Sequence, residues 1–326
     1  IRGNFFIPDA RKFWIKPSYK FLSNYLKNHP VDAIVSNGTP HSLHLIGLKL
    51  KKRLDLPWLA DFRDPWTNID FFDDLMLTPW AKKKHQKFEK SVLEYADCVT
   101  VTTPGTRKDF LALSEKSNIE VITNGFDSDD FTKTDVKLDQ KFTVAHIGVL
   151  TPSRNHPFFW DTIKELIDEN PDFSDHFLLR IIGSVDESIL HEIQQRGLDT
   201  HVEILSYVPH EEIIDELKKA WALLLKIRNS QNQDTIIPGK IFEYLAANRP
   251  IISIGPKGSD SDQVLTSSHS GITFPKDEKE NLKRHLLNLF EDYKSGVLSI
   301  HENRNIEQYS RLNLTEKLST VLNQIL

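Results

Sequence analysis

Short runs of β-branched and aliphatic residues alternate with amphipathic helical segments along almost the whole of this chain. The spacing predicts strands over residues 32–36, 58–61, 98–102 and 120–123 in the first half. In the second half it predicts strands over 142–149, 177–183, 202–205, 222–227, 251–255 and 271–274. Helices are predicted between them at 41–53, 79–95, 104–113, 157–169, 187–196 and 210–219, and two more over 278–293 and 307–325 close the chain. Strands separated by helix-length crossovers pair in parallel, with right-handed connections. The expected fold class is therefore α/β, with doubly wound parallel sheets. Ligands of such sheets sit at the carboxyl ends of the strands, where the strand order reverses. Residues 128–140 are polar without an apolar period and read as an inter-domain linker. With 326 residues, the chain can build a core on each side of it.

One helical stretch carries unusual punctuation: Ile236-Ile237-Pro238-Gly239-Lys240-Ile241-Phe242-Glu243-Tyr244-Leu245-Ala246-Ala247-Asn248-Arg249-Pro250. Pro238 suits the first helical position and Pro250 cannot continue a helix. Phe242, Leu245 and Ala246 form an apolar face, and the adjoining face carries Gly239, Lys240, Glu243 and Ala247. A lysine in the first turn opposes the helix dipole by about 0.3–1 kcal/mol. An anion at the helix end would reverse that sign, since bare amides, a glycine and a lysine make a phosphate cradle. A solvated surface Lys–Glu pair is the plainer alternative, and helix physics alone does not choose between them.

Other residues gain interest from their position just past a predicted strand. Arg154 follows the run ending near Gly148 and precedes the helix that Pro157 opens, a second cation before a helix N-terminus. Alone it reads as an exposed loop arginine; with Lys240 in the same half it suits a phosphate. Glu243 could accept two hydrogen bonds from a vicinal diol, or be a surface glutamate. Arg63 and Asp64 follow Asp61 at a strand end; the cluster suits a ligand's hydroxyls, or an internal ion pair that shapes the loop. Asn124-Gly125-Phe126-Asp127 reads as a turn with Asp127 or Ser128 as a cap. His146, inside an apolar strand, reads as a satisfied core histidine. The basic run Lys82-Lys83-Lys84-His85-Gln86-Lys87 is a solvated helix face, or touches anionic lipid at about 1 kcal/mol per residue.

Several classes fall away. A formal net charge of −5 gives no bulk electrostatic case for nucleic acid. The single cysteine, Cys98, excludes an intramolecular disulfide framework and a cysteine-pair zinc site, and argues for a reducing, cytoplasmic compartment. The 13 histidines show no metal-ligand spacing, so no metal is expected. No apolar run approaches about 20 residues, no signal peptide is visible, and no Gly-x-Ser-x-Gly, Walker or Gly-x-Gly-x-x-Gly motif occurs. The first strand-like run comes only near Val31, so the first domain is expected to lack its opening strands.

Asp61-Phe62-Arg63-Asp64-Pro65-Trp66-Thr67, Asn124-Gly125-Phe126-Asp127, Gly148 with Arg154, and Pro238-Gly239-Lys240 through Glu243 stand in an order that resembles the family-four retaining glycosyltransferases of the GT-B fold, above all bacterial members that build surface polysaccharides. The resemblance implies two Rossmann-like domains facing across a cleft. Residues 1–130 would form an incomplete acceptor-side domain and 131–303 the nucleotide-sugar domain, with 304–326 crossing back onto the first. By resemblance, Arg154 contacts the donor diphosphate, and Glu243 matches the second glutamate of a Glu-x7-Glu motif, which binds the ribose. Ile237, Pro238, Gly239 and Gly148 lie where backbone meets the diphosphate or sugar, and Tyr207 and Val208 lie where the base is read. The implied reaction moves a hexose from a UDP- or GDP-linked donor to a saccharide or lipid-linked acceptor, with retention and front-face attack, without metal or cofactor. Arg154, Lys240 and the helix amides would stabilise the departing diphosphate, while Arg63 and Asp64 position the donor sugar or acceptor hydroxyl. The implied location is cytoplasmic, with peripheral contact at the inner membrane face.

Three departures stand out. Thr235 occupies the place of the first motif glutamate. Arg63 stands where the family often has histidine, although Asp64 matches the following aspartate. The glycine-rich loop of the first domain falls in the segment expected to be missing. A GT-B nucleotide-sugar epimerase and a non-catalytic nucleotide-sugar-binding protein are the alternatives.

Overall fold

The computed structural model describes residues 2–69, 72–132, 136–206, 208–298, 300–301 and 304–326. The chain divides into two compact units, Ile1–Asn124 with Leu312–Leu326, and Gly125–Arg311.

In the first unit, β1 (Ile34–Gly38), β2 (Trp58–Phe62), β3 (Cys98–Val101) and β4 (Ile119–Val121) form one sheet in that order, all parallel. The helices are α1 (Arg2–Phe5), α2 (Ile15–Asn28), α3 (Ser42–Leu54), α4 (Pro79–Tyr95) and α5 (Pro104–Leu113). Two of them open on the same Thr-Pro device. The Thr78 hydroxyl accepts from Ala81 N at 3.3 Å, and Thr103 from Thr106 N at 3.1 Å, while the proline fills a position whose N–H would have no partner. Trp58, Leu59, Phe62, Val101 and Phe110 are buried at the sheet faces. The last helix, α13 (Arg311–Ile325), packs here: Val321 meets Leu59 and Cys98, and Lys317 Nζ donates to Val121 O at 2.8 Å.

In the second unit, β5 (Phe142–Ile147), β6 (Phe177–Ile182), β7 (Val202–Leu205), β8 (Ala222–Lys226), β9 (Ile251–Ile254) and β10 (Gly271–Phe274) run parallel in the order β10-β9-β8-β5-β6-β7. The helices α6 (Pro157–Glu169), α7 (Pro171–His176), α8 (Glu187–Gln195), α9 (His210–Lys219), α10 (Lys240–Ala247), α11 (Asp260–Ser267) and α12 (Lys279–Lys294) lie between them. Every residue of β5 and β8 is buried, as expected of central parallel strands covered on both faces. The strand order reverses between β5 and β8, which makes that point the switch of the sheet. Each unit is a Rossmann-like α/β layer built on a parallel sheet.

At both ends of the stretch 128–140, described residues pack on the second unit. Phe131 packs on the second core. Asp139 pairs with Arg180 at 2.7 Å, its N donates to Lys219 O at 2.9 Å, and its carbonyl accepts from Trp221 Nε1 at 2.9 Å. Asp139, one of the polar residues that suggested a linker, is thus committed to the folded surface. Four helices escaped the periodicity, the four-residue α1 among them. The α7 helix is too short, α11 has only Val264 and Leu265 as apolar residues, and α2 has no fully buried side chain. Among the described residues, no helix is long and apolar enough to cross a membrane.

Candidate active site

The switch between β5 and β8 gathers several of the singled-out residues. Gly148 follows β5 with φ +113°, and its N donates to Ile182 O at 2.8 Å. Gly183, after β6, has φ +135°; a Cβ there would lie 2.7 Å from Gly148 O, so only glycine lets the two loops approach. The chain then turns through Val149 and Leu150 into the single 3₁₀ turn Pro152–Arg154, where Arg154 Nη1 donates to Val149 O at 3.3 Å.

On the other side of the switch, the chain leaving β8 enters α10. The helix starts two residues later than Pro238 suggests: Ile241 N bonds Pro238 O at 3.0 Å in a tight opening turn, and Lys240 is the first helical residue. Its Nζ donates to Ile147 O at 2.7 Å and lies 3.4 Å from His146 Nε2. A Cβ on Gly148 would sit 3.4 Å from the same ammonium. Lys240 and Arg154 are therefore brought together, each bonded to a carbonyl beside Gly148. Burial, and then the charge of Arg154, bring the Lys240 pKa down to about 7, against the opposing pull of Glu243.

His146 is the satisfied core histidine expected, and also more. Its Nδ1 bonds Leu224 O at 2.8 Å, which leaves the Nε2 lone pair facing Lys240. Burial and the Lys240 charge keep this imidazole neutral, well below its ordinary pKa. The Tyr244 hydroxyl accepts from Ile147 N at 2.9 Å and fixes the other edge of the β5 end. The helix is buried over more of its girth than a one-sided pattern implies. Ile241, Phe242, Tyr244, Leu245 and Ala247 are covered, leaving Lys240, Glu243 and Ala246 partly open. The half-buried Glu243 carboxylate makes no hydrogen bond among the described residues. Burial raises its pKa, while His210 and Arg311 pull it down. Those two side chains are themselves engaged, His210 with Asp130 at 3.5 Å and Arg311 with Asp127 at 3.2 Å.

Beside Gly148 and Gly183 lies a hollow of about 750 Å³ whose walls include Val149, Val185, Leu190 and Val208. Tyr207 lies outside the described residues. Ile237 packs on the second core and Gly239 is exposed ahead of Lys240. The Thr235 hydroxyl is spent locally on Asn232 O at 3.0 Å.

Two family models match the chain, one described as group 1 glycosyltransferases over residues 141–292 and one as a glycosyltransferase 4-like domain over residues 12–125. The chain is a glycosyltransferase, group 1 in its second part and 4-like in its first. Solved structures share the fold of this glycosyltransferase. Sucrose-phosphate synthase from Thermosynechococcus elongatus aligns with a TM-score of 0.71 at 15% identity, over 97% of this chain and 79% of that one. Anabaena HepE in complex with UDP-glucose aligns at 0.67 and 13% identity, over 94% and 82%. A trehalose-6-phosphate synthase studied for glycosyltransfer with retention aligns at 0.66 and 13% identity, over 96% and 78%. Comparison by sequence with curated proteins finds no match.

Arg63 and Asp64 stand in the other unit of the glycosyltransferase, at the carboxyl end of β2. Among the described residues, hydroxyls and amides rather than an ion pair shape this loop. Asp61 accepts from Asn37 Nδ2 at 2.8 Å and Thr100 Oγ1 at 2.7 Å, and Asp64 accepts from Thr39 Oγ1 at 3.0 Å. The Trp66 and Thr67 amides donate to the fully buried Glu89 at 3.1 and 3.0 Å. Trp66 stacks on His41 at 4.7 Å and donates from Nε1 to His85 Nδ1 at 3.0 Å. The exposed Arg63 guanidinium makes no hydrogen bond or ion pair among the described residues. A hollow of about 400 Å³ opens beside the loop, lined by Asp9, Thr39, His41, Trp66, Phe72 and His85 among others.

The sequence concealed His146 and Tyr244 as site residues because each looks like ordinary core. Lys226 had a visible signal: it is a lysine inside the unbroken apolar run from Ala222 to Ile227.

Proposed function

We propose that this glycosyltransferase moves a hexose from a UDP- or GDP-linked donor to a saccharide or lipid-linked acceptor with retention of configuration, without metal or cofactor. The observation that carries the reading is the pair of cations flanking Gly148 at the sheet's switch point, Arg154 at 3.3 Å from Val149 O and Lys240 at 2.7 Å from Ile147 O. Two like charges held together by neighbouring carbonyls, one of them half-buried, repel each other until an anion arrives. A pyrophosphate would satisfy both, and the α10 amides would join them as charge grows on the leaving group. The ribose would bond the unengaged Glu243 carboxylate, and the base would enter the hollow beside Val208 and Tyr207. Ile237, Pro238 and Gly239 would offer backbone to the diphosphate and sugar, next to Gly148. Arg63 and Asp64 would position the sugar or acceptor hydroxyl, with the acceptor in the aromatic-walled hollow of the first unit. The UDP-glucose bound by HepE and the retention studied in trehalose-6-phosphate synthase support the donor and the stereochemistry through fold likeness. Location in the cytoplasm, with Trp80 and Lys84 touching an anionic inner membrane face, belongs to the same reading; the Lys84 ammonium lies 4.8 Å from the exposed Trp80 ring.

The test is binding of UDP, GDP and their sugars against the matching nucleosides by titration calorimetry. Arg154→Ala and Lys240→Ala should each weaken diphosphate binding about 10- to 100-fold, the value of a charged hydrogen bond, while nucleoside binding stays unchanged. Equal losses for both ligand types would remove the phosphate role. Thr235, its hydroxyl already bonded to Asn232 O, favours a second reading in which the chain binds a nucleotide sugar without transferring it. Donor binding with neither transfer nor hydrolysis would select that reading, and epimerised free sugar in the absence of acceptor would instead mark an epimerase.

A further inference from the structure

Lys226 ends β8 beside the switch point. Along β8, Leu223 and Leu225 face the core that contains α10, while Ala222 and Leu224 face the core that contains α6. Lys226 continues the second face. It is 1% exposed, and its Nζ has no hydrogen-bond partner among the described residues. The ammonium position lies 4.8 Å from the Phe159 ring centroid and 4.2 Å from that of Trp160. Cation–π contact offsets part of the cost of a buried amine, but supplies no acceptor for its protons.

The charged and titratable groups facing it come from every neighbouring element. From α10 comes Lys240 and from β5 His146, which is held neutral. His156, at the head of α6, is also kept neutral by burial, its Nε2 bonded to Ile227 O at 2.8 Å. Among the described residues the one acid is Glu192 of α8, already engaged by Asn155 Nδ2 at 2.7 Å and Arg196 at 3.2 Å. Burial and the Lys240 charge bring the Lys226 pKa down to about 7, with Glu192 pulling the other way. A lysine needed only for packing would gain by replacement with an apolar residue of similar length. This one lies within the field of Lys240, one of the two cations gathered at the switch point.

We propose that Lys226 is a buried proton acceptor of the donor site, uncharged while the crevice at the carboxyl ends of β5 and β8 is empty and protonated when a diphosphate fills it. This rests on the donor reading above. Occupancy places negative charge beside Lys240, offsets its repulsion on Lys226, and so raises the pKa of that amine. Lys226 touches no donor atom; it acts through the field at Lys240.

The experiment is calorimetric titration with UDP-glucose and GDP-mannose, whose diphosphate diesters do not titrate near neutrality, at about pH 7.5 in buffers of different ionisation enthalpy. Wild-type protein should take up a fraction of a proton per donor bound. Lys226→Met should lose much of that uptake and keep the share belonging to Lys240. Between about pH 6.5 and about pH 8.5 the wild-type affinity should fall several-fold more than that of the variant. Equal uptake in the two proteins overturns the role of Lys226 and leaves the donor site standing. Donor binding without proton uptake in the wild type overturns it too, and needs no variant. Failure of the wild type to bind either nucleotide sugar would sink the donor reading along with this proposal.

Discussion

At the residue scale, the second unit concentrates positive charge where water is scarce. Lys240 and Lys226 have folded-state pKa values of about 7 against an ordinary 10.5. Between those values the unfolded chain binds more protons than the folded one, so stability rises as pH increases through that window. The destabilisation is fully present below about pH 7 and gone above about pH 10.5. Urea unfolding midpoints across this range should climb with pH in the wild type, and the slope should shrink in Lys226→Met. An equal slope in both proteins would mean that the buried amine does not titrate there. Affinity for a diphosphate has the opposite sign, falling as pH rises through about 7 and the ammonium of Lys240 is lost. One arrangement thus costs the empty protein stability and, on the proposed donor reading, would give it a grip on anions. The same groups show what a sequence reveals. Lys240 was legible because a lysine in a first helical turn contradicts the dipole. His146 was not, because a histidine in an apolar strand looks alike whether its lone pair faces leucine or an ammonium.

At the element scale, the alternation of strands and helices was readable almost to the residue, since central parallel strands such as β5 and β8 are apolar throughout. Other elements were not: α2 has no fully buried side chain, α7 is too short to show a period, and α11 buries the polar Asp260 and Ser261 beside Val264 and Leu265. The start of α10 moved from Pro238 to Lys240 because the proline turn precedes the helix rather than belonging to it. The approach of the β5 and β6 loops depends on Gly148 and Gly183. Gly183→Ala places a methyl 2.7 Å from a backbone oxygen at φ +135°, a strain of roughly 1–3 kcal/mol. A melting temperature lowered by several degrees, with weaker nucleotide binding, is the expected outcome. An unshifted melt would show that the loops part without cost.

At the scale of the whole molecule, the chain passes between its two units twice, after Asn124 and again after Arg311. The second passage delivers α13 onto Leu59 and Cys98. Burial, with Glu120 adding to it, pushes the Cys98 thiol up to about 11, so it should resist a thiol-reactive dye in the native protein. Val321→Asp sets a carboxylate against that apolar contact and should cost roughly 1–3 kcal/mol. Dye labelling of Cys98 should then accelerate well before global unfolding; an unchanged rate would mean the helix does not guard the thiol. Just inside the second unit the two passages are tied to each other, Phe126 N to Tyr309 O at 3.1 Å and Arg311 N to Phe126 O at 2.9 Å. A polypeptide routed this way can be split without being parted. If it is clipped after Asn124, the larger fragment still ends in the very peptide on which the smaller one closes its core. The two would travel together through a sizing column and separate only in detergent.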